Sequence, residues 1–256
     1  MGKRPKRKVI LFLVEGKSDR EALRLAIPEL YDEIDEDFEV FFPTIREADE
    51  EIGGDVTSKI GVYPRNIEDK IYNLFLKDFF DEEKIFPKDI TEIVQIVDTD
   101  GAYIPDECVM VGENPDGSDK PYYSDTGIIC TNPTRIVKRN ECKRENLDYL
   151  SSLEKIKVRQ KSVPYRIYFF SCNLDHYLHH SANLDYRMKR TLAATFSKSY
   201  ISDVRGFVKE ISDDPGATSD MSYEESWRYI KEGMNSISRH TNLNLLFDRL
   251  ASEDAE

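Results

Sequence analysis

Val9-Ile10-Leu11-Phe12-Leu13-Val14 runs directly into Glu15-Gly16-Lys17-Ser18-Asp19, and further on Ile93-Val94-Gln95-Ile96-Val97 runs into Asp98-Thr99-Asp100-Gly101. Short apolar runs bounded by glycine have the pattern of strands buried on both faces of a parallel sheet. In such sheets ligands sit beyond the carboxyl ends of the strands, so the acids after the two runs should meet in one crevice. Carboxylates gathered that closely repel one another unless a cation neutralises them. Hard oxygen donors select Mg²⁺, Mn²⁺ or Ca²⁺, and the pair of strand ends therefore points to a divalent-metal site.

Outward from these strands, Ser18-Asp19-Arg20-Glu21 has the form of a capping box opening a helix at Ser18. Leu23, Ala26, Ile27 and Leu30 continue the helical period, and Pro28 should kink or restart it. Phe38 to Phe42 is an expected second strand, and Ile67, Ile71, Leu74, Phe75 and Phe79 mark an amphipathic helix before the strand that ends at Asp98. The order is βαβαβ, which implies an α/β fold with parallel strands and crossover helices. Residues 102–163 break the pattern with turn residues such as Asn114-Pro115-Asp116-Gly117 and then a charged stretch, and are expected to be an insertion. Tyr165 to Ser171 should be the fourth strand. An α/β domain over 8–180 and a helical C-terminal part over 181–256, packed on the same domain, complete the expected organisation, with Tyr223 to Met234 and Leu243 to Leu250 the clearest helices.

The 256 residues are 39% apolar, enough for a packed core, and carry a net charge of −13. That charge disfavours a general nucleic-acid coat protein, which needs many phosphate contacts. It hides a local excess: between Arg135 and Lys161 nine Lys/Arg face four acids. Lys138, Arg139, Lys143 and Arg144 are the candidate phosphate contacts there, and Lys17 is either a further contact or a solvated loop residue. No stretch approaches the roughly 20 apolar residues of a membrane span, and the basic start of the chain leads into only six apolar residues, too few for a signal peptide. Cys108, Cys130, Cys142 and Cys172 show neither a C-x-x-C pair nor zinc spacing, and a cytoplasmic location with four reduced thiols is expected. His176, His179 and His180 have a spacing that zinc can use, but no acid or cysteine motif completes it, which favours packing or surface exposure.

Glu15-Gly16-Lys17-Ser18 is not a P-loop, because Leu11 stands where the first glycine is required, and no G-x-G-x-x-G follows the strand. A strand ending in Glu-Gly with Asp19 four residues after the Glu, and a later strand ending in Asp98-Thr99-Asp100, resembles the Toprim superfamily. That superfamily includes topoisomerases, bacterial primases, RNA-maturation nucleases and the overcoming-lysogenization-defect (OLD) nucleases. The resemblance implies Glu15 as general acid/base and Asp98 and Asp100 as metal ligands, with Asp19 matching the second acid of the OLD-like version. Phe170-Ser171-Cys172-Asn173-Leu174-Asp175-His176 through His180 is similar to the Ser-Asn-x-x-Phe-Glu stretch of RloB-like Toprim proteins, with Asp175 where that family has Glu. It implies Asp175 as a further metal ligand. The expected activity is Mg²⁺- or Mn²⁺-dependent cleavage of DNA or RNA phosphodiesters, in phage defence or restriction. The alternative is a non-catalytic Toprim-like module that binds nucleic acid, a nucleotide or a partner ATPase. The expected partners are DNA or RNA and, in the alternative, a partner subunit such as an ATPase; no membrane is implied.

Overall fold

The computed structural model of the chain describes residues 6–47, 50–51 and 54–253. Residues 254–256, the last of the expected C-terminal part, lie outside the described ones. The chain opens with β1 (Lys8–Leu13), α1 (Lys17–Leu23), α2 (Ala26–Ile34) and β2 (Phe38–Phe41). A small hairpin, β3 (Arg46–Glu47) with β4 (Glu50–Glu51), precedes α3 (Ile67–Ile71) and α4 (Lys77–Glu83), which are joined by a π-helical turn at Tyr72–Leu76. Then come β5 (Ile90–Asp98), β6 (Val109–Val111), β7 (Tyr122–Ser124), β8 (Gly127–Cys130), α5 (Pro133–Ser151), β9 (Lys155–Val158) and β10 (Lys161–Phe170). The C-terminal part is helical: α6 (Leu174–His179), α7 (Tyr186–Ser199), α8 (Val204–Ser212), α9 (Tyr223–Ile230) and α10 (Asn244–Glu253).

The fold is α/β. The main sheet has the order β2-β1-β5-β10-β9, with the first four strands parallel and β9 antiparallel to β10 at one edge. Alternation within the strands explains the layering. Val9, Leu11 and Leu13 of β1 face one core with Ile67, Ile71, Phe75, Leu147 and Trp227. Ile10 and Phe12 face the other, with Leu23, Ile27, Phe207 and Leu246. Helices on both faces make strands buried on both sides, which is why β1 is apolar from Val9 to Leu13 and β5 from Ile93 to Val97 is interrupted only by Gln95, which accepts from the Tyr165 hydroxyl at 2.8 Å. Phe170 is opposite Asp98, and Leu13 opposite Gln95, so the carboxyl ends of β1, β5 and β10 open onto the same edge.

Of three local expectations, the cap of α1 is corrected, the restart at Pro28 is met and the helix after Asn66 is refined. The cap of α1 is Gly16, not Ser18: the Asp19 carboxylate accepts the Gly16 N–H at 2.8 Å, three residues ahead of it. The helix breaks after Leu23 and restarts at Ala26, which places Pro28 in the first turn of α2, where its missing N–H has no intrahelical partner to lose. The π turn adds a residue to the helix after Asn66, so that Phe80 is buried and Phe79 sits half-buried against Phe41.

Between β5 and β10 the chain first forms a three-stranded sheet, β6-β8-β7, over its own small core of Ile104, Val109, Ile128, Cys130, Ile136 and Ile237. The long helix α5 then crosses back to the main sheet, burying Leu147 and Leu150 in the main core. Among the described residues no helix is long and apolar enough to cross a membrane.

Candidate metal centre

Six carboxylates gather at the carboxyl edge of the parallel strands, in two groups, each closed by a lysine. The first group is Glu15, Asp55 and Asp100, whose ligand oxygens all lie within 4.8 Å of one another. Glu15 follows β1 and Asp100 follows β5. Asp55 arrives from a loop tied to the first strand's end by a 2.6 Å hydrogen bond from the Gly54 N–H to the Glu15 carbonyl. The backbone at Asp100 is left-handed (φ 51°), as it is at Gly101 (φ 68°). A Cβ on Gly101 would lie 2.4 Å from the Ile237 side chain, so this turn admits only glycine. Asp100 N–H donates to the Cys172 carbonyl at 2.8 Å, and the Cys172 N–H to Thr99 Oγ1 at 2.9 Å, which fixes the turn against the end of β10. Cys172 is also left-handed (φ 57°). Strained non-glycine residues held in this way cluster at functional sites.

Among these three carboxylates sits Lys143. Its ammonium is 2.6 Å from Asp100, 2.9 Å from Asp55 and 3.4 Å from Glu15, and its side chain is 0% exposed. Asp55 Oδ2 has no hydrogen bond of regular geometry, but its 2.9 Å contact with the ammonium is an ion pair. Lys143 lies on a stripe of α5 with Ile136, Asn140, Leu147 and Leu150, apolar at both ends and polar in the middle. The polar middle is tied to backbone carbonyls, with Asn146 Oδ1 left buried and unpartnered. Asn140 donates to the Gly101 carbonyl, Arg139 to the Asp100 carbonyl at 2.7 Å, and Asn146 to the Thr57 and Val62 carbonyls. Tyr123 of β7 donates to the other Asp100 oxygen at 3.0 Å.

The second group is Asp19, Asp98 and Asp175 with Lys189. Asp98 accepts the Leu174 N–H at 2.9 Å, and Asp175, 2% exposed, receives the Lys189 ammonium at 2.6 Å on one oxygen. Its other oxygen is buried and has no hydrogen-bond partner. A buried carboxylate oxygen left open in this way is costly unless a further cation or donor meets it. Asp98, Asp100, Tyr123, Asn173, Asn183 and Lys189 line a cavity of about 280 Å³ at this edge.

The proton affinities of the two groups differ. Burial, reinforced by Asp55, pushes Glu15 well above the usual carboxylate range. Burial acts upward on Asp100 too, but the charges of Lys143 and Arg139 outweigh it and hold Asp100 at about 2. On Asp55 burial likewise acts upward, and the same ammonium holds it low. In the second group no cation outweighs burial: Asp19, next to Asp175, is raised to about 6, and Asp98, next to Asp19 and Asp100, well above its ordinary value.

Of the residues singled out in the sequence, Glu15, Asp98, Asp100, Asp19 and Asp175 all lie at this edge. Lys143 is corrected: it is not a surface phosphate contact but a buried group of the centre, turned inward by the helical period. Arg139 is half-buried, held by Asp100, Tyr123 and Asn140, and also lines the groove beside the centre. Arg144 is partly exposed and 3.4 Å from Asp106, while Lys138 and Lys17 are exposed. Asp55 is a member of the centre that the sequence reading does not single out. Its signal is the Gly54-Asp55-Val56-Thr57 sequence, a turn in which the Asp55 carboxylate accepts the Thr57 N–H at 2.7 Å. Among the described residues the group whose ligand atoms meet metal spacing is Glu15, Asp55 and Asp100; neither Asp19, Asp98 and Asp175 nor the histidines His176, His179 and His180 form a further one.

Compared with known proteins, the chain matches no family model, no curated protein and no solved structure.

Proposed function

We propose that this chain is a Toprim-like nuclease that cleaves DNA or RNA phosphodiesters with Mg²⁺ or Mn²⁺. The observation that carries the reading is the convergence of Glu15, Asp19, Asp98, Asp100 and Asp175, with Asp55, at the carboxyl ends of adjacent parallel strands. The donor set is all oxygen, which suits these ions rather than zinc. The open, buried oxygen of Asp175 and the raised proton affinities of Asp19 and Asp98 mark positions that gain stability from an added cation, while the described carboxylates whose ligand atoms lie within 4.8 Å of one another are Glu15, Asp55 and Asp100. Asp98 and Asp100 at the end of β5, with Asp19 and Asp175 beside them, are the residues that would hold it.

A bound divalent ion supplies charge neutralisation at the phosphate and a water of lowered pKa. The chain's own residues do the rest. Glu15, with its raised proton affinity, is suited to give a proton to the leaving oxygen or to take one from the attacking water. Arg139 and Tyr123 hold Asp100 in place. Arg135 and Lys138 line a groove of about 880 Å³ that runs past Arg139 and is also lined by the exposed Ile60 and Tyr63, a surface suited to a nucleic-acid strand. A role in phage defence or restriction follows from the RloB-like resemblance of residues 170–180.

A second reading is favoured by one observation: the Lys143 ammonium already neutralises one carboxylate group. It makes the chain a non-catalytic module that binds a nucleotide, nucleic acid or a partner ATPase. Incubating the protein with labelled DNA and RNA in Mg²⁺, Mn²⁺ or EDTA separates the two. Cleavage that needs metal and is abolished in Asp98→Asn supports the nuclease; metal binding with no cleavage of any substrate supports the module.

A further inference from the structure

The groove beside the centre has a composition that phosphate contacts alone do not explain. Successive turns of α5 present Arg135, Lys138 and Arg139 to it and then, further along the helix, Glu141 and Glu145. The loop before α3 adds Ile60, 102% exposed, and Tyr63, 43% exposed. We infer that this groove binds single-stranded RNA, with unpaired bases on Tyr63 and Ile60, phosphates on the three cations and ribose hydroxyls on the two carboxylates. This rests on the nucleic-acid reading above and names the form of nucleic acid that the reading leaves open.

Three observations carry the inference. The first is that the apolar surface stands on fixed backbone. Ile60 is the most exposed large apolar side chain among the described residues. Yet Asn66 accepts the Tyr63 N–H at 2.8 Å and donates to the Gly61 carbonyl at 3.0 Å, Asn146 of α5 donates to the Val62 carbonyl at 3.2 Å, and Val62 itself is buried. An exposed ring held in this way is a stacking platform that needs little ordering on binding. A duplex keeps its base faces stacked inside and gains nothing from such a platform, whereas an unpaired strand stacks on it. The second observation is charge. In a chain of net charge −13, Arg135, Lys138 and Arg139 fall at i, i+3 and i+4 on this one groove, and the Arg65 guanidinium lies 5.4 Å from the centroid of the Tyr63 ring. The third is the pair of exposed carboxylates, Glu141 and Glu145. Next to phosphates they subtract from affinity by repulsion. A ribose 2′-OH donates to a carboxylate, and that charge-assisted bond offsets the repulsion; deoxyribose has no such donor, so the acids favour RNA over DNA.

The test is fluorescence anisotropy of the full chain in EDTA, where metal-dependent cleavage does not run. The probes are a short labelled single-stranded RNA of mixed sequence, the DNA of the same sequence and the matching RNA duplex. The wild type should bind the single-stranded RNA about tenfold more tightly than the DNA, the size of effect expected of a hydrogen bond to a charged group. Tyr63→Ala should weaken binding of the single strand about fivefold or more, the loss of one stacking partner, and leave the duplex within about twofold. Phe86→Ala, which removes an aromatic of similar exposure just before β5, at the opposite edge of the sheet, should change neither. Glu141→Ala combined with Glu145→Ala should tighten DNA binding and narrow the preference for RNA, which a merely structural role would not do. All these side chains are exposed, so the variants fold. A duplex bound as tightly as the single strand, DNA bound as tightly as RNA, or an unchanged affinity in Tyr63→Ala overturns the groove assignment; cleavage with Mg²⁺ is scored separately, and the nuclease reading then stands or falls on that. Binding as expected with no cleavage of any substrate in Mg²⁺ or Mn²⁺ upholds the groove and overturns the nuclease reading.

Discussion

The two halves of the crevice are built from similar parts, three carboxylates and a lysine, and differ in how deeply the lysine is held. In the Glu15–Asp55–Asp100 half the ammonium is buried and fixed by a helix that has spent its polar residues on backbone carbonyls. In the Asp19–Asp98–Asp175 half it comes from the partly exposed Lys189 of α7, and one carboxylate oxygen is left without a partner. The same residue types therefore give one half a permanent charge balance and the other an exchangeable one. Proton affinity follows in part: the ammonium holds Asp100 at about 2 and Asp55 low, whereas burial raises Asp19 to about 6 and, within the lysine-filled half, still raises Glu15.

The largest test of that contrast is to remove each lysine. Lys143→Met leaves three crowded carboxylates without their buried partner, and should cost about 3–5 kcal/mol in metal-free chemical denaturation, the usual cost of stripping one member from a buried ion pair. Lys189→Met strips the buried Asp175 of its cation, but the ammonium itself is partly exposed and one carboxylate rather than three is left, so the cost should be smaller, about 2 kcal/mol. Equal losses of stability in the two variants would remove the distinction between a fixed and an exchangeable cation.

Next in size is Asp98→Asn. It should reduce metal-dependent cleavage by at least about a hundredfold while raising the metal-free thermal midpoint, since it relieves repulsion among Asp19, Asp98 and Asp100. Full cleavage activity in the purified variant would remove Asp98 from the site.

How much of this centre is legible in the sequence depends on which forces place each residue. β1 and β5 are readable because burial on both faces demands mostly apolar runs, with only Gln95 inside that of β5 from Ile93 to Val97, and the acids at their ends are readable because the sheet must deliver them to one edge. The antiparallel β9 is not expected from the sequence, since its alternation Lys155-Ile156-Lys157-Val158 lies inside a charged stretch. Lys143 is hidden for a related reason. Its helix buries Asn140, Lys143 and Asn146 between apolar ends, so the buried stripe is interrupted by polar residues and looks solvated by hydropathy alone. Following the stripe from Ile136 to Leu150 by its helical period turns Lys143 inward. Asp55 has no such handle, because nothing local to a loop says which strand end it will meet.

A smaller effect is expected with pH. Asp19 at about 6, and Asp98 above its ordinary value, take up protons in the folded state that the unfolded chain has already released. The folded state then binds more protons, so their contribution to stability falls as pH rises from about 4 through 6. Asp100, at about 2, contributes stability that is complete above this window. The lowered proton affinities of His176, His179 and His240, each caused first by burial, act in the opposite direction as pH falls. The measurement is therefore a difference in thermal midpoint between wild type and Asp19→Asn in EDTA. The variant should gain more at neutral pH than at about pH 5, and added Mg²⁺ should raise the wild-type midpoint most at neutral pH. A gain that is independent of pH would mean that Asp19 does not carry the repulsion assigned to it.

The smallest expected effect lies outside the crevice. Of the basic residues on α5, Lys143 is internal, Arg139 is half-buried against Asp100 and Arg144 is turned to Asp106, which leaves Arg135 and Lys138 as exposed charges on the groove that leads to the site. An acidic chain that binds nucleic acid must concentrate its phosphate contacts, and these two sit beside the exposed Ile60 and Tyr63, which offer a surface for bases. Replacing both with Gln should weaken nucleic-acid binding by an amount that shrinks as salt rises, lowering the log-log salt slope by about 0.7–0.9 for each phosphate that is no longer neutralised. The thermal midpoint should not change, because both charges point to solvent. Arg139→Gln is the contrasting control: its guanidinium holds the Asp100 carbonyl and Tyr123, so it should lower the midpoint. An unchanged salt slope in the double variant would return this groove to a solvated helix face, and would move the search for the substrate path to the cavity bounded by Asn173, Asn183 and Lys189.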